Sequence, residues 1–248
     1  ALTTLNPSSN VDMCNVAVGY NAGYSMTTGT QNISVGAYSL DALTTGADNV
    51  AIGTGALGVA TTGNYNIAIG SNALDATTTA SNNVGIGVNA LTANTTGTDN
   101  TAVGYQSLDA NTTGGSNTAV GHNALTANTT AGYNTAVGKN TMTNATTATG
   151  NVAIGYQAMS SGVQGDYSVA VGQNALYTNT GGSNTAVGEN ALFANTSGTN
   201  NTAIGRGALD VNTTGASNVA IGVGCLDANT TANSNTAVGN SSLGSNTT

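Results

Sequence analysis

The chain has 248 residues, rich in Thr, Asn, Ala and Gly, with twelve formally charged side chains, a net charge of −8, one Pro, one Phe and no Trp. Large aliphatics and Phe together supply 43 residues, about 17%, which argues against an ordinary globular enzyme core and, taken alone, would suggest disorder. Ten carboxylates against Lys139 and Arg206 leave no basic patch for nucleic acid or anionic membrane, and no apolar run is long enough to span a membrane.

In chain order, residues 1–14 are atypical. They contain the single proline, Pro7, lack the basic and apolar regions of a signal peptide, and are expected to cap one end of the repeats. From Asn15 a [V/I]-G dipeptide recurs with its Gly at 19, 36, 53, 70, 87, 104, 121, 138, 155, 172, 188, 205, 222 and 239. These glycines keep a 17-residue spacing except between Gly172 and Gly188, where Asn179-Thr180-Gly181 lacks the second Thr of most repeats. Aligned on this glycine, position 0, the unit reads N-[T/V]-A-[V/I]-G-x-N-A-L-x-A-N-T-T-G-x-x.

One such unit cannot bury its few apolar side chains, but stacked copies share a continuous core. Thr, Asn and Gly are poor helix formers and no 3.6-residue apolar period appears. Short strands between Gly and Asn corners fit better. The expected fold is all-β, a parallel β-solenoid or β-roll of about fourteen 17-residue coils over residues 15–248. At about 4.8 Å per parallel strand it would form a rod roughly 65 Å long.

Side chains alternate along a strand, so the aliphatics at −1 and −3 (Val18 and Val16, Ile52 and Val50) share a face, taken here as the inside of the coil. The column between them is Ala in twelve of fourteen copies, relaxed only at Ser34 and Gly85, and is expected to face outward. An outward column so small and regular suggests packing against another chain through Ala51, Ala68, Ala102, Ala119, Ala136, Ala153, Ala186 and Ala203. The bland reading is that Ala merely tolerates an exposed sheet. The Leu or Met at +4, present in thirteen copies, should point inward and supply most of the core.

Asn at −4, replaced only by Ser168, and Asn21, Asn72, Asn89, Asn123, Asn140, Asn174 and Asn190 at +2 read as stacked amide ladders that also ease tight corners. Variation concentrates at +1, where Tyr105, His122, Lys139, Tyr156, Gln173, Glu189 and Arg206 hold the chain's only His, Lys, Arg and Glu. This outward column, flanked by Asp41, Asp75, Asp109, Asp210 and Asp227 at +5, is the candidate recognition stripe, although exposed positions also drift without function.

Catalytic chemistry finds no support. His122 has neither a nucleophile motif nor a second His beside it, the G-x-G matches are products of the repeat that open no helix over a phosphate, and Asp recurs too sporadically for a calcium-binding β-roll. No enzyme activity, cofactor or metal is expected. Asn94, Asn111, Asn128 and Asn212 each begin an N-x-T sequon generated by the repeat. Cys225 is expected to be a buried thiol too far from Cys14 to pair with it.

The Asn-Val-Ala-Ile-Gly element at 49–53, 151–155 and 218–222 resembles the head repeats of trimeric autotransporter adhesins. The longer unit at 117–125 is similar to repeats of bacteriophage tail-fibre and bacterial surface-fibre proteins. That resemblance, spanning nearly all of residues 15–248, implies a homotrimer of β-rolls outside the cell or on a virion that binds a host-surface glycan or protein. The expected function is thus a non-enzymatic structural or adhesive fibre segment. Two rival readings stand beside it. Stacked Thr pairs such as Thr95-Thr96 and Thr112-Thr113 resemble the Thr arrays of ice-binding solenoids, and a final coil that stops in mid-repeat would suit a self-assembling filament.

Overall fold

The computed structural model describes residues 13–247. The fold is the expected all-β parallel β-solenoid of 17-residue coils, and its described residues divide into two compact units, the first ending at residue 130 and the second beginning at residue 131.

The first unit carries seven three-residue strands: β1 (Val16–Val18), β2 (Ile33–Val35), β3 (Val50–Ile52), β4 (Ile67–Ile69), β5 (Val84–Ile86), β6 (Thr101–Val103) and β7 (Thr118–Val120). Each pairs in parallel with the next, residue for residue, as in Ala102 opposite Ala119. The second unit repeats the arrangement with β8 (Thr135–Val137), β9 (Val152–Ile154), β10 (Val169–Val171), β11 (Thr185–Val187), β12 (Thr202–Ile204), β13 (Val219–Ile221) and β14 (Thr236–Val238). The 16-residue coil keeps this register, Val169 facing Thr185, so the deletion is absorbed at the Thr180 corner.

Of the atypical segment proposed as a cap, only Met13 and Cys14 lie within the described residues; the Met13 carbonyl accepts the Gln31 N–H at 2.7 Å. Cys14 is exposed and Cys225 buried, both as free thiols. The Cys225 thiol, pushed up by burial, donates to the Ala237 carbonyl at 3.3 Å.

The sheet faces the opposite way from the expectation. Ala51, Ala68, Ala102, Ala119, Ala136, Ala153, Ala186 and Ala203 are fully buried, so this column lines the interior and is not an outward packing surface. The Val, Ile and Thr side chains on either side of it point outward, half-buried or exposed. Volume explains the inversion. The +4 column fills the other side of each coil, every Leu or Met from Leu40 to Leu226 being fully buried as expected, and a close-packed interior has room for one large column only. At Gly85 an added Cβ would already sit 3.2 Å from the Leu74 side chain. Where Ala gives way to Ser34, the hydroxyl is satisfied inside by the Ser39 carbonyl at 2.7 Å.

Tight corners make the coil close. The +4 side chains from Leu40 to Leu226 reach the core from left-handed backbone, φ 47–55°. Such geometry costs a branched residue about 1–3 kcal/mol, offset by about 1.5–3 kcal/mol from burying the side chain. The Asn at +2 sit at φ 53–58°, as expected for an αL-tolerant residue. The glycine at position 0 has φ of 125–138°, and a Cβ at Gly19 would lie 2.6 Å from the Gly36 carbonyl oxygen; both facts exclude any other residue.

The −4 Asn form the expected ladder. The Asn117 N–H and side-chain Nδ2 both donate to Asn100 Oδ1, at 3.0 and 3.1 Å, and Asn100 does the same to Asn83. The side-chain oxygen thereby stands in for a strand carbonyl at a corner where the backbone supplies none. Ser168 keeps the role alive, its hydroxyl accepting the Asn184 N–H at 3.2 Å. Asn100→Ala should therefore destabilise by about 1–3 kcal/mol, the penalty for stranding buried donors, with Asn100→Ser costing measurably less. Denaturant unfolding of the two variants checks this, and equal costs would refute the carbonyl-substitute role.

Candidate functional site

Three sets of residues compete for the outside of the coil, and local backbone decides which each contains. The glycine at position 0 turns the chain out of the strand, so the next side chain projects freely. Tyr105, His122, Lys139, Tyr156, Gln173, Glu189 and Arg206 are all exposed. They stand one per coil rather than converging. Only neighbours in the column can touch, and Tyr105 stacks on His122 with ring centroids 5.2 Å apart and planes 22° from parallel. In the +5 column Tyr177 stacks on Phe193 at 5.2 Å and 6°.

The Asp residues at +5 are half-buried or exposed. Burial raises the carboxyls of Asp41, Asp75, Asp109 and Asp210 above their ordinary 3.8; the charge of Asp75 adds to the effect at Asp41, and that of Asp227 at Asp210. Among the described residues no group of three or more His, Cys, Asp or Glu is placed to hold a metal ion, and no helix is long and apolar enough to cross a membrane.

The Thr pairs form two different columns. At +8 the hydroxyls are donors to the next coil: Thr44 Oγ1 to the Thr61 carbonyl at 3.0 Å, Thr95 to Thr112 at 3.0 Å and Thr196 to Thr213 at 2.9 Å. At +9 the partners, such as Thr96, Thr113 and Thr214, are exposed.

Among the described residues, the +2 Asn column that was read as a second ladder shows one rung, Asn174 to Asn190 at 3.1 Å. A buried amide ladder that sequence reasoning missed runs instead at +7. Asn111 Nδ2 donates to Asn94 Oδ1 at 2.9 Å and Asn212 Nδ2 to Asn195 Oδ1 at 2.8 Å, while each amide also binds the carbonyl three residues on, Gly114 and Gly215. The signal was present: this column exchanges Asn with Met26, Leu43, Ala60 and Ala145, and a position that accepts apolar residues is an interior one. The sequon residues Asn94, Asn111, Asn128 and Asn212 all lie in it, fully buried.

These features define a β-solenoid repeat protein whose interior polar groups are spent on cohesion and whose varied side chains are displayed singly, coil by coil. Comparison with protein-family models, with curated proteins and with solved structures returned no match.

A carboxyl raised by folding binds its proton more tightly in the folded chain. Its stabilising contribution is complete below the unfolded value and is lost as pH rises through the higher folded one. Asp210→Asn should accordingly raise the denaturant midpoint at pH 7 and flatten the decline in stability as pH climbs out of the carboxylate range. A midpoint unchanged at pH 7 would contradict the burial cost.

Proposed function

We propose that this chain is a non-enzymatic structural and adhesive segment of an extracellular surface or virion fibre, acting by repeated display of side chains. The carrying observation is the contrast between columns. Inward and corner positions are held to Ala, Leu, Asn, Thr and Gly by packing and ladder bonds, whereas the exposed +1 column carries the chain's only His, Lys, Arg and Glu together with Tyr105 and Tyr156. Contacts too weak to hold a partner singly add when presented at fixed spacing on one body. Host-surface glycan or protein is the proposed class of ligand.

The ice-binding alternative drew on the stacked Thr pairs. Half of that array donates its hydroxyls to neighbouring coils, which favours a cohesive role for it over a water-ordering one.

The test is binding of labelled protein to intact bacterial cells and to a glycan array. It compares the parent chain with a variant in which Tyr105, His122, Lys139, Tyr156, Gln173, Glu189 and Arg206 are all Ser. At least a tenfold loss of binding with an unchanged circular dichroism spectrum is expected. Binding that survives the substitutions, or a parent chain that binds nothing, would remove recognition from the reading and leave a spacer.

A further inference from the structure

The inversion of the sheet leaves a surface for which the coil itself has no use. In the first unit the fourteen outward positions of β1–β7 are twelve Val or Ile plus Thr101 and Thr118; in the second, those of β8–β14 are ten Val or Ile plus Thr135, Thr185, Thr202 and Thr236. The face holds no charge, Gly or Pro, and every residue on it is β-branched. Ile33 and Ile52 are 39% exposed, Ile154 40% and Ile204 39%. These are flanked on both sides within the sheet, so their exposure is a property of the face and not of an end. Strand spacing and rise give about 330 Å² of such plane per seven-strand run. That falls within the roughly 300–600 Å² of the largest apolar patch on a typical soluble monomer, a patch that often serves a function, and each unit has one.

We infer that this face docks a second copy of the same chain, β-branched column against β-branched column. Three observations select that occupant. First, the side chains recur with the strand spacing and 17-residue register of the solenoid, and a copy matches that period by construction where an unrelated surface would not. Second, the chain is anionic, yet none of its ten carboxylates stands in these two columns: Asp41, Asp75, Asp109, Asp210 and Asp227 are at +5, Glu189 is at +1, Asp48, Asp99 and Asp166 are in the corners that precede the strands, and Asp12 lies ahead of the repeats. Like-charged copies therefore bring no carboxylate into the contact itself when they meet through this face. Third, branching at Cβ restricts χ1 of Val, Ile and Thr, which keeps the entropy lost on docking small. The interface is isologous in the sense that both partners present the same columns. It is separate from the +1 column proposed for recognition, so either assignment can fail without the other.

Light scattering coupled to size exclusion on the full chain, at micromolar concentration, reads the result directly. The parent should run at twice its 24.0 kDa. A variant carrying Val35→Lys, Val120→Lys and Val171→Lys should run at one chain mass with its circular dichroism retained. Should the lysines prevent folding, the isosteric set Val35→Thr, Val120→Thr and Val171→Thr replaces them and should weaken association at least tenfold. Lysine at Val88, in the +1 column, should leave the mass unchanged. A monomeric parent overturns the inference; if that monomer also halts or facets growing ice crystals, the face belongs to ice. A multimer that survives both substitution sets on the sheet overturns it equally, and places the contact elsewhere.

Discussion

Everything in this molecule depends on the need to satisfy backbone and core within a 17-residue perimeter. A coil that small has strands of only three residues, so most of its N–H and C=O groups lie in corners, where no ladder of the ordinary kind can reach all of them. The −4 amide answers that need. Its oxygen occupies the place of a strand carbonyl, its nitrogen bonds the carbonyl fourteen residues on, as from Asn100 to Gly114 at 2.8 Å, and stacking makes each rung the condition for the next. The +7 ladder and the Thr hydroxyl column do the same at other corners. Side-chain chemistry that in a globular enzyme would be free for substrates is consumed here in holding one coil to another.

Packing is set by the same perimeter. One column of Leu fits inside, carried on left-handed backbone, and the strand opposite must then present its smallest residue. The irregular coil before Ser168 shows how narrow the tolerance is. Gln164 is drawn inside, its Nε2 bonding the Met159 carbonyl at 2.7 Å, while its Oε1 and the Nδ2 of Asn151 are buried without partners. Where the strands are regular, both faces are determined at once, because a small inward column forces the β-branched ones out.

Much of this was legible in the sequence. The period announced the coils, the Gly column marked the corner that admits no side chain, the Leu column gave the core and the −4 Asn column gave the ladder. The sheet was read inside out because hydrophobicity was ranked above size. Val18 and Ile52 are more apolar than Ala17 and Ala51, yet a column confined to Ala, Ser and Gly is the mark of close packing, while the exchange of Thr101 for Val84 at −3 is that of a surface. The +7 ladder escaped notice for the converse reason, since its Asn alternate with Leu43 and Ala60, and polarity hid an interior column. The +1 stripe was legible as an exposed series, but a column of single residues names no ligand.

The buried +7 ladder bears on how this chain can be made. An oligosaccharyltransferase reading Asn-Thr-Thr at 94, 111, 128 and 212 would modify a side-chain nitrogen that the folded coil buries completely and, at Asn111 and Asn212, commits to two hydrogen bonds each. Sugar attachment and coil closure are therefore mutually exclusive at those asparagines. In a eukaryotic secretory pathway the two would race, and every glycan added before closure would leave a stack that cannot zip past it. A bacterial or phage host imposes no such race, and there the repeat can multiply its sequons without consequence.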